Sequence, residues 1–367
     1  MISRRAFIQG TMFLGGNILM GCTQADFEED YNEAEWFMPD ENESHRRTWM
    51  AFGASKKIWG ADLLPEVQSN LATIARTIAR YEPVSMLVRE NEYDLARELV
   101  GSSVELIVSP LDDLWMRDTG PIFVLTEGGD QAAIDFNFNG WGKKQEYSRD
   151  AKVANFVAQQ AGIKVINTDL VLEGGCIEVD GHGTAIITES CVLNSNRNPG
   201  LTKAEVEEQL MPLLGLEKII WLPGIKGMDI TDGHTDFYAR FASPGVVLAS
   251  YDPDPASFDH EVTKEHLDIL GAATDAQGRP LEVIVLESPM TIREAYETED
   301  FAAGYIGFYV CNGAVILQEF GDSQADRAAK QAVQSAFPDR EVVQINIDGI
   351  AAGGGSIHCA TQQEPMA

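Results

Sequence analysis

From Trp49 onward the sequence repeats one unit, and this repetition constrains the fold more than any other feature. Short apolar runs of strand-like composition come in pairs joined by turn residues, then a stretch of helical periodicity, then another apolar run. In the first unit WMAF reads as a strand and Leu64 to Arg80 as a helix, with Pro65 at its start and Val67, Leu71, Ile74 and Ile78 on one face. The strand VSMLV, a short helix near Tyr93 to Val100 and the strand VELIV follow. The second unit runs IFVLT, turn EGGD, AAIDFNF, a helix from Ser148 to Ala161 stopped by Gly162, then VIN. The third runs CIEV, turn DGHG, TAIIT, a helix opened by Thr202 with Glu205 three residues on as a capping box, then IIWL. The fourth runs DFYARF, SPG, VVLAS, a helix around Val262 to Leu270, then EVIVL, and the fifth runs IGFYV, CNG, AVILQ, a helix from Ser323 to Ala336, then VVQIN. The unit of strand, strand, helix and strand recurs four times plainly and, in the first section, once less regularly; it cannot bury its own face alone, so five such units predict a closed or stacked α/β array.

The chain has 367 residues, 44% of them hydrophobic, enough for a large core. Its 57 acidic and 27 basic residues give a formal net charge of −30, which argues against nucleic acid as a partner. That balance suits a cationic ligand, although the acidic residues are spread along the chain and also fit a solvated surface.

The first 21 residues read as a targeting segment rather than part of the fold. Arg4 and Arg5 precede Phe7 and Ile8, and a short, weakly apolar run follows to Met20. This layout resembles a twin-arginine export signal and is too short for a membrane span. Leu19, Met20, Gly21 and Cys22 resemble a lipobox, with Cys22 as the lipidated residue; the alternative is an ordinary signal with a chance cysteine. Residues 22–36 read as a polar, acidic tether and 37–367 as one domain. The expected location is therefore periplasmic or at the cell surface, with membrane contact through the lipid alone. Five cysteines are too few and too scattered for a disulfide framework. Cys176, Cys191 and Cys311 lie in or beside apolar runs and read as core.

Chemistry-bearing residues fall at equivalent points of the units. Asp118 precedes the first strand of the second unit and Glu173 that of the third. His234 and Asp236 stand at the start of the fourth, and Cys359 follows the last strand of the fifth. Equivalent points of a pseudo-symmetric ring lie at one end of its axis, so distant residues converge there. Cys359 is preceded by Gly353, Gly354 and Gly355, which allow close backbone approach or positive φ. Each residue has a plainer reading. Cys359 alone reads as a small buried thiol, Asp118 as a turn-former and Glu173 as a solvated strand end. His234 and Asp236 with a distant Cys and His358 also make a zinc set, but without a close ligand pair at established spacing. Trp115 and Trp141 read as core aromatics or as walls of a cation site.

The segments FMPDENESHRRTWMAF, LDDLWMRDTGPIFV, FNFNGWGKK, LVLEGGCIEVDGHGT, LNSNRNPG, TDGHTDFYARF, FGDSQAD and GGGSIHCATQQEP occur in this order between Phe37 and Pro365. They resemble the landmarks of the agmatine deiminase family, which includes bacterial-type peptidylarginine deiminases within the guanidine-modifying superfamily. The resemblance implies the five-bladed α/β propeller, or pentein fold. It also implies hydrolytic deimination of a guanidine, agmatine first and peptide arginine as the alternative.

By that resemblance Cys359 is the nucleophile, His234 the general acid and base, and Glu173 its partner. Asp118 and Asp236 hold the guanidinium, Trp115 lines the pocket, and no cofactor or metal is needed. The assignment is chemically coherent, because a planar delocalised cation needs paired carboxylates and a strong nucleophile. Three positions depart from the agmatine-specific pattern: Ile230 where an acidic residue is common, Phe237 where Asn is common, and Ser356 in place of Asn. Asp229 or another carboxylate would then compensate for Ile230. A non-catalytic lipoprotein that binds cationic ligands remains a third reading, and assembly with further copies of the chain is left open.

Overall fold

The computed structural model describes residues 35–296 and 301–367, and Glu35–Ala367 forms one compact unit. The export signal, Cys22 and most of the expected tether lie outside the described residues. Trp36, at the expected end of the tether, is buried against the domain. Among the described residues no helix is long and apolar enough to cross a membrane.

Five small sheets account for the strands, as the repeats predict. Four have three strands each: β4 (Ile122–Leu125), β5 (Gln131–Asp135) and β6 (Lys164–Asn167); β7 (Ile177–Val179), β8 (Thr184–Thr188) and β9 (Lys218–Leu222); β10 (Ala239–Ser243), β11 (Val246–Tyr251) and β12 (Glu282–Glu287); β13 (Tyr309–Cys311), β14 (Ala314–Glu319) and β15 (Glu341–Asn346). In each, a tight hairpin makes the first pair antiparallel, and a helical crossover makes the second pair parallel. The sequence locates these strands to within a few residues, because the central strand of each sheet is apolar and buried.

The first unit is irregular for a topological reason. Its sheet runs β16 (Thr361–Pro365), β1 (His45–Phe52), β2 (Val84–Val88), β3 (Val104–Val108). The strand that leads every other unit is supplied here by the far end of the chain, with Trp49 opposite Gln362 and Met50 opposite Thr361 in antiparallel register. A closed array brings the end of the fifth unit to the first, but TQQEP is polar and does not read as a strand. Yet all five of its residues are buried, and Glu364 accepts a hydrogen bond from Trp49 Nε1 at 2.8 Å.

Helix ends largely follow their caps. The third-unit helix Lys203–Leu214 opens on Thr202, whose hydroxyl accepts from Glu205 N–H at 3.3 Å while the Glu205 carboxylate accepts from Thr202 N–H at 2.8 Å. Ser323–Ala336 has the expected bounds, with Asp322 capping the N–H groups of Gln324 and Ala325. The first helix differs from expectation: it begins at Lys56 and turns at Gly60, with Pro65 inside, so the start expected at Leu64 is the second leg of a longer element. Its expected apolar face is correct. Val67, Leu71, Ile74 and Ile78 are buried with Met86, Ile316 and Ile350 in one cluster, which joins the first and fifth units. Each such side chain contributes about 1.5–3 kcal/mol.

Candidate active site

The residues singled out from the sequence sit just ahead of the leading strands. Asp118 lies in the helical turn Met116–Thr119 before β4, and Glu173 stands beside the turn Gly174–Cys176 before β7. His234 and Asp236 are in and beside the turn Thr235–Phe237 before β10. Cys359 lies two residues ahead of β16, the leading strand of the first unit, so its position is equivalent to the others.

These side chains meet. His234 Nε2 lies 3.3 Å from Glu173 Oε2, and its Nδ1 lies 3.7 Å from Asp118 Oδ1 and 4.0 Å from Asp236 Oδ1. Cys359 Sγ is 3.7 Å from Asp236 Oδ2 and 3.2 Å from Ser356 Oγ. His234 Nδ1 and Asp236 Oδ1 are both buried and have no hydrogen-bond partner. Two such atoms on one site are costly unless a ligand satisfies them.

Burial opposes charge on His234, but Asp118, then the contacts with Cys191 and Glu173, outweigh it and push its pKa well above the ordinary value. Burial pushes Asp118 up to about 6 against the pull of His234. On Asp236 burial is outweighed by His358, which holds the carboxyl below its usual range. Burial, then Asp236 and Asp118, push the Cys359 thiol well up, and Ser356 partly counters them. Burial and the two carboxylates thus disfavour the thiolate of Cys359.

A cavity of about 210 Å³ opens onto Cys359 and Asp118, walled by Trp59, Trp115, Trp141 and Phe237. Trp141 is more than a core aromatic, since its Nε1 donates to Asp118 Oδ2 at 3.0 Å. Trp115 and Trp59 donate to the two oxygens of Asp113. The glycine triplet makes this wall feasible. A Cβ at Gly353 would lie 2.2 Å from the Trp59 ring and one at Gly355 2.1 Å from Trp115, while Gly354 has φ +82°. Gly175 is equally constrained: a Cβ there would meet His234 Nδ1 at 2.4 Å.

Several residues of the site escaped assignment from sequence. His358 is not a ligand of the zinc set considered above. Its Nδ1 contacts Asp236 Oδ2 at 2.7 Å and its Nε2 contacts Glu41 Oε2 at 3.0 Å. Glu41 also accepts from Arg117 at 2.9 Å and Arg240 at 2.8 Å. Arg197 donates to Glu173 Oε1 at 2.8 Å and to Asp232 at 2.8 Å. Glu41, Arg117, Arg197 and His358 all fall within quoted segments, and Arg117 and His358 adjoin the assigned Asp118 and Cys359, so adjacency was a signal for these two and segment membership alone for the others. Asp229, next to Ile230, is tied into its own turn, its oxygens accepting from the N–H groups of Thr231 at 2.5 Å and Gly233 at 3.0 Å. Ile230 itself lines the cavity.

A family profile for the Porphyromonas-type peptidyl-arginine deiminases matches residues 37–365. The chain belongs to that family. A relative from Streptomyces avermitilis, named "Putative agmatine deiminase", is 43% identical over 89% of this chain and 96% of its own length. The solved agmatine deiminase of Enterococcus faecalis, described as catalysing its reaction, is 32% identical with a TM-score of 0.84, covering 92% of this chain and 97% of that one. An agmatine deiminase of C. jejuni shares the fold at 23% identity and a TM-score of 0.79, covering 90% of this chain and 96% of that one. The deiminase family thus has a pentein fold here, with five sheets in the described residues and the candidate groups ahead of their leading strands.

Proposed function

We propose that this family member hydrolyses a guanidine to a ureido product and ammonia through a thiol intermediate on Cys359, and that agmatine is its substrate. The observation that carries the reading is the pair of unsatisfied atoms, His234 Nδ1 and Asp236 Oδ1, set with Asp118 around the sulfur of Cys359. A guanidinium between Asp118 and Asp236 supplies the missing N–H donors. Its charge also offsets the field of the two carboxylates, so substrate binding itself favours the thiolate. The thiolate attacks the guanidinium carbon. His234 gives its proton to the departing ammonia as the C–N bond breaks, leaving an amidino group on sulfur. Water, deprotonated by His234, then adds to that carbon, and cleavage of the C–S bond releases the ureido product and restores the thiol. Arg197 and His234 keep Glu173 ionised against burial, and Glu173 in turn helps keep His234 charged for the first step.

Agmatine is favoured over peptide arginine by the named relatives and by the small cavity of about 210 Å³ with its aromatic walls. The test offers the purified protein agmatine, free arginine and an arginine peptide while ammonia and ureido product are followed. Turnover of agmatine with loss of all turnover in Cys359→Ala, ligand binding kept, is the expected result. Citrulline formed in the peptide alone would reverse the substrate assignment, and binding without ammonia would remove the enzyme.

We also infer export through the twin-arginine segment and anchoring by lipid at Cys22, on the residue pattern alone. Cys22→Ser is expected to move the protein from the membrane fraction to the soluble one. Unchanged fractionation would overturn the anchor.

A further inference from the structure

Behind His234, away from the cavity, lie two thiols that the proposed reaction does not use. Cys176 ends the turn Gly174–Cys176, three residues after Glu173, and Cys191 sits in the short helix Glu189–Val192 that follows β8. One donor atom from each of Glu173, Cys176, Cys191 and His234 lies within 4.8 Å of every other, and all four residues are buried. His234 Nε2 is 3.3 Å from Glu173 Oε2, Cys191 Sγ is 3.5 Å from that oxygen, and Cys176 Sγ is 4.0 Å from it.

A tetrahedral zinc ion with bonds of about 2.3 Å to sulfur and about 2.0 Å to nitrogen and oxygen puts nitrogen and oxygen about 3.3 Å apart and sulfur and oxygen about 3.5 Å apart. Two of the edges therefore match as they stand. The third closes by roughly half an ångström when the Cys176 thiol turns from the Glu173 carbonyl, to which it now donates at 2.8 Å. The donor set of two sulfurs, an imidazole and a carboxylate is one that zinc takes in preference to harder cations.

We propose that Glu173, Cys176, Cys191 and His234 form an inhibitory site for a thiophilic divalent cation, zinc above all. Charge balance supports it. Two thiolates and the Glu173 carboxylate carry three negative charges, which the cation and the Arg197 guanidinium on Glu173 Oε1 cancel within the buried space. On binding, the two thiol protons and the Nε2 proton of His234 leave to solvent, and three coordinate bonds from S, S and N replace them beside that of the carboxylate. The consequence follows from the two faces of the imidazole. With a metal on Nε2, Nδ1 keeps its proton and still faces Asp118 and Asp236, but the ring no longer cycles between acid and base. Neither loss of ammonia nor activation of water then proceeds.

The effect on turnover rests on the function proposed above, whereas the site itself does not. Cobalt(II), added to the reduced full chain without substrate, therefore tests it separately. Thiolate-to-cobalt charge transfer with tetrahedral visible bands is expected in the native protein and in Cys359→Ala, with affinity at least tenfold weaker in Cys176→Ser and Cys191→Ser. Zinc is expected to raise the melting temperature of the native protein and of Cys359→Ala but not of Cys191→Ser, a readout for variants that fold less stably. In the agmatine assay, half-inhibition by zinc should need at least tenfold more metal in the two serine variants, each against its own metal-free rate, and a chelator should restore activity. Thiolate bands that vanish in Cys359→Ala and persist in the serine variants would place the metal on the nucleophile and overturn the proposal, as would their absence from the native protein. If no agmatine is turned over yet the cobalt bands appear, the metal site stands and the reaction falls.

Discussion

Two histidines in this molecule are equally buried and both lie among acids, yet they are set up for opposite work. His234 has one nitrogen against Glu173 and the other unpaired, facing Asp118 and Asp236. His358 has both nitrogens committed, to Asp236 and to Glu41. An ionised carboxylate only accepts, so making both of its contacts at once requires the doubly protonated ring. Burial, Arg117 and Arg240 draw the His358 pKa down against those two hydrogen bonds, while acids push that of His234 up. A histidine with a free nitrogen can move a proton. One with none can only hold something in place, and His358 holds Asp236.

Removing each ring sharpens the contrast. His234→Asn is expected to lower kcat by about ten-thousandfold, measured as ammonia release under saturating agmatine. A second break is aimed at the other histidine's support. Glu41→Gln leaves Arg117, Arg240 and His358 around a neutral amide and should cost about 3–5 kcal/mol of stability, read as a lower urea midpoint at unchanged slope. An unshifted midpoint would show that this network is not structural.

A third buried histidine supplies the control with no acid at its ring. His266 accepts from Gly224 N–H at 3.1 Å and stacks edge-on to Tyr238, and burial lowers its pKa from 6.5 to about 4. The unfolded chain then binds the proton more readily. The stabilisation is present above pH 6.5 and is lost as pH falls toward 4, by about 3 kcal/mol. His266→Gln should flatten that part of the stability curve, and an unchanged acid limb would sink the assignment. The smallest effect is expected at His358→Asn, about ten- to hundredfold in kcat/KM with KM sharing the loss, because Asp236 is displaced rather than removed. A loss as large as that of His234→Asn would erase the distinction between the two rings.

The legibility of the site follows the same division. Asp118, Glu173, His234, Asp236 and Cys359 could be read because each stands just ahead of a unit's leading strand, at a point that recurs through the chain. Glu41, Arg117, Arg240 and His358 could not be assigned, although most were in view, because their roles lie in contacts such as that of His358 with Glu41, 317 positions away. Ile230 stands where the resemblance leads one to expect an acid, and the setting of Asp229 beside it was not legible: its oxygens accept from the N–H groups of Thr231 and Gly233 in its own turn.

By itself the sequence determined the repeating unit, most strand and helix positions, and the candidate reacting groups, since apolar period, caps and turn residues act over a few neighbours. Only the tertiary structure decided that polar TQQEP becomes the leading strand of the first sheet. It also decided that four aromatic rings and three glycines line one cavity, and that one histidine is left with a free nitrogen while its neighbour is clamped. Those outcomes depend on which distant segments meet when the ring closes, and no local pattern encodes that geometry.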